Sequence, residues 1–153
     1  TDEHGVARHA QKRSTNSQGK SFKLNVEGSD ARYSFHHPGT DGYLYVFEAP
    51  IDLLSYITLH PENWQQHSYV ACCGTSYEPV RWILTRMEAP QMVSLCLDHD
   101  NAGERGCERM AKQISSEFAI PTRRLVPEQK DWNEDLCALR EAPGRQRMEM
   151  EMR

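Results

Sequence analysis

Two aspartates at the end of an apolar segment, Asp98 and Asp100, are the residues of this chain best placed to do chemistry. Residues 92–97 form a short, mainly apolar run, which is typical of a strand buried on both faces of a parallel sheet. Side chains two residues apart on an extended backbone point to the same side, so the two carboxylates would repel each other. A hard divalent cation prefers oxygen ligands and relieves this repulsion. The spacing therefore predicts a site for Mg²⁺, or for Mn²⁺.

A third acid, Glu48, ends another apolar strand over residues 43–47. Pro50 then fits the first turn of a helix, where a missing N–H costs nothing. Asp52 lies in that turn, where its charge complements the helix dipole, so we leave it out of the predicted site. The rival interpretation is that the acids are helix caps and turn formers, and Asp100 fits a cap well. That interpretation leaves Glu48 unexplained.

The elements that must position these acids alternate between strand and helix through residues 43–126. This alternation predicts an α/β fold with a mostly parallel four-stranded sheet and helices on both faces. Reactive residues gather at the carboxyl ends of such strands, where all three acids would lie. A small β-hairpin over 21–26 and 32–35 is predicted before the sheet, and residues 36–42 have the composition of a linker. The predicted sheet strands are 43–47, 68–72, 92–97 and 120–127.

A strand–Glu–helix unit followed by a strand–Asp-x-Asp-x-x-Gly–helix unit resembles the Toprim domain. Bacterial-type primases, topoisomerases, gyrase subunits and some nucleases share that domain. The amino-acid sequences of residues 46–52 and 130–136 are most similar to those of primase-like Toprim proteins of plasmids and other mobile elements. The resemblance covers residues 43–136 and implies a Rossmann-type sheet. It divides the chain into a basic β-hairpin segment (1–42), a Toprim domain (43–136) and a helix end with a flexible tail (137–153).

The resemblance also implies roles for the three acids. Asp98 and Asp100 match the metal-binding pair, and Glu48 matches a general acid or base that also contacts a second metal in some members. Crowding by two aspartates should raise the pKa of Glu48 when no metal is bound, which suits proton transfer. We therefore name Glu48, Asp98 and Asp100 as candidates for both catalysis and metal binding.

Basic residues supply candidates for nucleic-acid contact. Lys12 and Arg13 lie in a stretch from Arg8 to Lys23 that carries no acidic residue, and such a stretch can hold phosphates. A solvated surface is the plainer explanation of the same charges. Lys130 sits in the second matching segment and is a further candidate for phosphate contact. In the resembling primases, the segment before the Toprim unit helps to hold template.

Composition limits the function classes. The chain has 153 residues and a net charge of −4, so any nucleic-acid surface must be local. Five cysteines, an odd count without a Cys-x-x-Cys pair, favour a reduced cytoplasmic protein without a zinc site. The sequence has no apolar run long enough to cross a membrane. It opens without Met, and we expect it to be part of a longer parent protein with other domains.

The first functional hypothesis is Mg²⁺-dependent phosphodiester chemistry on DNA or RNA, as primase-like nucleotidyl transfer in replication or mobile-element transfer, with nucleotides as possible substrates. A metal-dependent nuclease is the nearest alternative. A topoisomerase-type Toprim protein is a further alternative, although no part of this sequence resembles the tyrosine-bearing module that such enzymes need. The hypothesis from another class is a non-catalytic nucleic-acid-binding module.

Overall fold

The computed structural model describes residues 1–15, 18–20 and 22–140. Most of the predicted C-terminal tail, residues 141–153, lies outside the described residues. The strands are β1 (Gln11–Arg13), β2 (Lys23–Asn25), β3 (His36–His37), β4 (Tyr43–Phe47), β5 (Ser68–Ala71), β6 (Met92–Leu95) and β7 (Thr122–Arg124). The helices are α1 (Pro50–Leu59), α2 (Glu78–Leu84), α3 (Asn101–Phe118) and α4, which is described over residues 132–140.

The main sheet has the strand order β3-β5-β4-β6-β7. Its last four strands are parallel, as predicted, with β4 at the centre between β5 and β6. The predicted α/β class is confirmed. The sheet has one strand more than predicted, because His36–His37, expected in a linker, pairs antiparallel with Val70 and Tyr69 of β5.

Alternating side chains of the central strand divide the core into two layers. Leu44 and Val46 point to one face, where they pack with apolar residues of α2 and α3. Tyr45 and Phe47 point to the other face, where they pack with α1 and with Trp132 at the start of α4. Helices therefore cover both faces of the sheet. All four of these β4 side chains are buried.

The hairpin that precedes the sheet differs from the predicted one. The strand predicted over 21–26 is present as β2, but it pairs with β1 rather than with residues 32–35. Asp30 accepts a hydrogen bond from the backbone N–H of Arg32 and pairs with its guanidinium, which closes a short 3₁₀ turn over Ala31–Tyr33. A returning strand cannot form through that turn.

The helix starts explain how the acids are held at the edge of the sheet. Asp100 caps α3, where its Oδ1 accepts from the backbone N–H groups of Ala102 and Gly103 at 3.0 and 2.9 Å. Pro50 opens α1, as predicted, and Asp52 follows in its first turn. Within the described ranges, no helix combines the length and apolar character needed to cross a bilayer.

Candidate functional site

Glu48 and Asp98 meet at the carboxyl edge of the sheet. Glu48 directly follows β4, and Asp98 lies three residues beyond the end of β6, the parallel neighbour of β4. The backbone N–H of Asp98 lies near the Glu48 carboxylate and lowers its pKa. The strand predicted over 92–97 ends at Leu95, so Asp98 and Asp100 lie in the turn that joins β6 to α3.

Burial controls the electrostatics of this pair. Only 7% of Asp98 is exposed, and burial raises its pKa to about 7, with further increases from the charges of Glu48, Asp52 and Asp131. The pKa of Glu48 is also raised, first by burial and then by Asp100. The predicted raised pKa of Glu48 is thus confirmed, although burial contributes more than crowding. In the absence of a cation, Asp98 takes up a proton near neutral pH, and Glu48 holds its proton more strongly than an exposed glutamate does.

Each of the two acids has a buried oxygen without a hydrogen-bond partner among the described residues, Oε2 of Glu48 and Oδ1 of Asp98. A buried carboxylate oxygen without a partner is costly, so a proton or a cation would be bound favourably there. Oxygen atoms of this kind fit Mg²⁺ or Mn²⁺. As the side chains stand, no three His, Cys, Asp or Glu residues in 1–15, 18–20 and 22–140 converge enough to hold a metal ion. The site therefore offers two carboxylates with open oxygens, which other acids surround.

Asp100 lies at the rim of this pair and already has a structural role. Both of its hydrogen bonds to the start of α3 end on Oδ1, and Oδ2 takes part in neither. Its charge still contributes to the raised pKa of Glu48. The cap interpretation and the ligand interpretation are therefore compatible, because they use different oxygens of one carboxylate.

Two further acids, Asp52 and Asp131, lie beside Asp98 and were absent from the predicted site. Asp52 is 3% exposed and accepts from the backbone N–H of Asn133 at 3.3 Å. Burial and then the charge of Asp131 raise its pKa to about 6. The helix dipole does not account for such burial. No local pattern in the sequence marks this position, because the hydrogen bond to Asp52 comes from Asn133, which is distant in the chain.

The segment that carries Asp131 is attached to the site through the backbone. The N–H of His99 donates to the carbonyl oxygen of Lys130 at 2.7 Å. Asp131 caps α4 by accepting from the N–H of Glu134 at 2.8 Å. Trp132 belongs to the core, since it is buried and its indole N–H donates to the carbonyl oxygen of Cys96 at 2.9 Å.

The basic residues of the hairpin divide between its two faces. Arg13 and Lys23 are cross-strand partners and therefore share a face. Both charges lower the pKa of Asp52, and Lys23 also lowers that of Asp98, so this face is directed toward the acids. Lys12 pairs with Leu24 on the opposite face. Of the two hairpin residues predicted to contact nucleic acid, only Arg13 faces the acids. Lys23, which belongs to the same basic stretch, becomes a further candidate.

A cleft of about 400 Å³ separates the hairpin from the sheet edge. Gln11, Lys23 and Asn25 line it on the hairpin side, and Glu48, Ala49 and Cys73 are among the residues on the sheet side. Lys130 is exposed, and its charge lowers the pKa of Glu48. The cleft therefore places the cation of Lys23 on the side opposite Glu48.

Two larger cavities lie elsewhere. One of about 750 Å³ includes His36, Trp82 and Arg86 in its lining, and one of about 630 Å³ includes Tyr56 and His60. Neither is lined by any of the five acids described above. The smaller cleft beside Glu48 is thus the one associated with the acidic site.

Comparisons with known proteins agree with this architecture. The sequence model of a family described as Toprim-like matches residues 45–136. An uncharacterized protein of Bacillus anthracis, pXO2-78, is 32% identical, with 74% of this chain and 38% of that protein aligned. The primase fragment of the bacteriophage T7 primase-helicase protein superposes with a TM-score of 0.62 at 20% identity, covering 98% of this chain and 58% of the fragment. The chain thus spans less than two thirds of either relative.

Proposed function

This chain belongs to the Toprim-like family, and on that premise we propose that it performs Mg²⁺-dependent phosphodiester chemistry on nucleic acid, as primase-like nucleotidyl transfer. The observation that carries the proposal is the pair of half-buried Glu48 and buried Asp98, with one buried, unpartnered oxygen on each, opposite a basic face of the hairpin. Acids in this setting suit a divalent cation, and the opposing cations suit a phosphate chain.

The residues would divide the work as follows. Asp98 and Asp100 would hold the first cation, the latter through the oxygen that does not cap α3. Asp52 and Asp131 lie near enough to Asp98 to raise its pKa and would share with it a second cation. A bound Mg²⁺ would supply neutralisation of charge that develops on the phosphoryl oxygens. Arg13, Lys23 and Lys130 would hold phosphates along the cleft.

Glu48 would move the proton. In nucleotidyl transfer, a 3′-hydroxyl oxygen bonds to the α-phosphorus, the bond from that phosphorus to the bridging oxygen breaks, and pyrophosphate leaves. Glu48 accepts the hydroxyl proton. Its raised pKa makes it a better proton acceptor than an exposed glutamate, while the N–H of Asp98 and the charges of Lys23 and Lys130 help it to remain ionised.

Template-dependent incorporation of labelled ribonucleotides in Mg²⁺ or Mn²⁺ tests this proposal. We expect D98N to abolish incorporation and E108Q, at an exposed position on α3, to retain it. Nicking of plasmid DNA without added nucleotides, lost in D98N, would indicate a nuclease instead.

A non-catalytic binding module is the second candidate, because one oxygen of Asp100 is committed to the helix cap and no three ligands converge in the described residues. Salt-sensitive binding of single-stranded DNA without either activity would favour that function. If neither activity nor binding is found, both proposals are wrong.

A further inference from the structure

Arg124, on β7, reaches across the end of β6 to the turn that carries the acids. Its side chain is 20% exposed. One terminal nitrogen, Nη1, donates to the carbonyl oxygens of Leu95 at 3.2 Å, Leu97 at 2.8 Å and Leu125 at 2.8 Å. The other, Nη2, donates to the carbonyl oxygen of Asp98 at 3.1 Å. A single guanidinium therefore binds the backbone through which β6 continues to Asp98.

The same guanidinium is held by Glu104, in the first turn of α3. Oε1 of Glu104 accepts from Nη2 at 2.6 Å and from Nε at 3.2 Å. Arg124 thus connects the residues before the Asp98–Asp100 turn to the helix that follows it. Both ends of the turn are fixed through one side chain.

The contacts are to backbone carbonyls and to Glu104, not to the carboxylates of the site. The cation with the largest opposing effect on the pKa of Asp98 is Lys23. The contribution of Arg124 is accordingly one of position. A guanidinium carries five N–H donors in a rigid plane, whereas a lysine ammonium has three donors on a flexible chain and cannot satisfy the same set of acceptors.

We infer that Arg124 is a positioning residue for the acidic site, which fixes the backbone of the Asp98–Asp100 turn so that the carboxylates are held ready for a cation. The expected effect on metal affinity rests on the proposed function. The expected effect on the backbone of the turn does not depend on that function. Groups that orient metal ligands from outside the coordination sphere typically change affinity by roughly 10–100-fold when altered. We expect a loss in that range.

The test compares R124K with R123K. Arg123 is a matched control because it lies on the same strand, and its guanidinium donates to the side chains of Ser94 and Tyr45 instead. Two measurements are made on each variant. The first is hydrogen exchange, without metal, of the backbone N–H groups of His99, Ala102 and Gly103. The N–H of His99 donates to the carbonyl oxygen of Lys130, and the other two donate to the Asp100 carboxylate. The second is Mn²⁺ affinity from the dependence of the melting temperature on metal concentration.

We expect R124K to exchange faster at these three amides and to bind Mn²⁺ roughly 10–100-fold more weakly, with R123K unchanged in both. Wild-type exchange and affinity in R124K, or equal losses in R123K, would overturn the inference. If R124K does not fold, E104A is measured instead, because it releases the guanidinium while the residue remains. The same loss of protection is expected there, and its absence would count against the inference.

The two proposals fail in different ways. Wild-type protein that binds no Mn²⁺ contradicts the proposed function. Even if the wild type binds no Mn²⁺, faster exchange at the three amides in R124K but not in R123K would support the positioning role. Wild-type protein that binds Mn²⁺, together with an R124K variant of equal affinity and protection, contradicts the positioning role and leaves the proposed function supported.

Discussion

The backbone N–H of Asp98 lies near the carboxylate of Glu48 and lowers its pKa, so two acids that are 50 residues apart in sequence are coupled at the edge of the sheet. Oε2 of Glu48 is buried there without a partner in the described chain. A displacement of the β6–α3 turn would therefore change the surroundings of Glu48. The two side chains are best treated as one unit in mutational tests.

The first prediction concerns pH and the stability of the metal-free protein. Because the pKa of Asp98 is raised to about 7 from 3.8, the folded chain retains a proton that the unfolded chain releases between about pH 4 and pH 7. The free energy of unfolding should therefore fall as pH rises through that window. Between pH 5 and pH 8, the decrease in the free energy of unfolding should be smaller in D98N than in the wild type by roughly 2–3 kcal/mol.

Urea denaturation in the presence of a chelator at both pH values measures this effect. E108Q, at an exposed position on α3, should follow the wild-type pH dependence. Equal pH dependence in wild type and D98N would mean that Asp98 titrates near its ordinary value.

The second prediction concerns metal ions. Mg²⁺ or Mn²⁺ should raise the melting temperature of the wild type more at pH 8 than at pH 5.5, because the cation competes with protons for Asp98 and Glu48. A concentration of 100 times Kd would add about 2.7 kcal/mol to the free energy of unfolding. D98N should lose most of this stabilisation in thermal melts. Stabilisation that is equal in D98N and wild type would indicate that the cation binds elsewhere.

The third prediction concerns the two faces of the hairpin. R13Q and K23Q should weaken the binding of single-stranded DNA, since these side chains face the acids across the cleft. Each should reduce the slope of log K against log salt by about 0.7 if one phosphate contact is lost. K12Q, on the opposite face, removes the same charge and should have a smaller effect. Fluorescence anisotropy at several salt concentrations measures the slopes, and three equal effects would argue for a purely diffuse attraction.

The fourth prediction concerns Gly103. A Cβ at this position would overlap the carbonyl oxygen of Asp98, so G103A should destabilise the fold by about 1–3 kcal/mol although alanine favours helix. It should also weaken Mn²⁺ binding by moving Asp98. G106A, one turn later, would meet the side chains of Leu97 and Thr75, which can shift, and should be tolerated better. Urea denaturation ranks the two, and equal stability would show that the turn adjusts freely.

Much of the fold could be predicted because apolar runs are local signals. The four parallel strands and the helix over Asn101–Phe118 follow from runs and spacings within single segments. The hairpin pairing could not be predicted, because β1 is only Gln-Lys-Arg and has no apolar alternation. The strand His36–His37 exists only through its pairing with β5, and composition alone indicated a linker.

In the candidate site, too, some features follow from local sequence patterns and others depend on contacts between distant residues. Glu48 and Asp98 could be placed at one edge because parallel strands bring their carboxyl ends together. The burial of Asp52 depends on Asn133, 81 residues later, and no local pattern contains that contact. Gly103 is the glycine of the Asp-x-Asp-x-x-Gly motif. It lies within α3, and what requires glycine there is the close approach of the Asp98 carbonyl.

The pairing of β3 with β5 has a consequence for solubility. Without it, the apolar strand Ser68–Ala71 would present a row of open backbone donors and acceptors to any other chain. The two histidines of β3 pair with this strand, and β3 is itself too short for a strand of another chain to pair with it. The opposite border, Thr122–Arg124, has three residues and is likewise a short template. Short strands thus protect both borders of the sheet from aggregation.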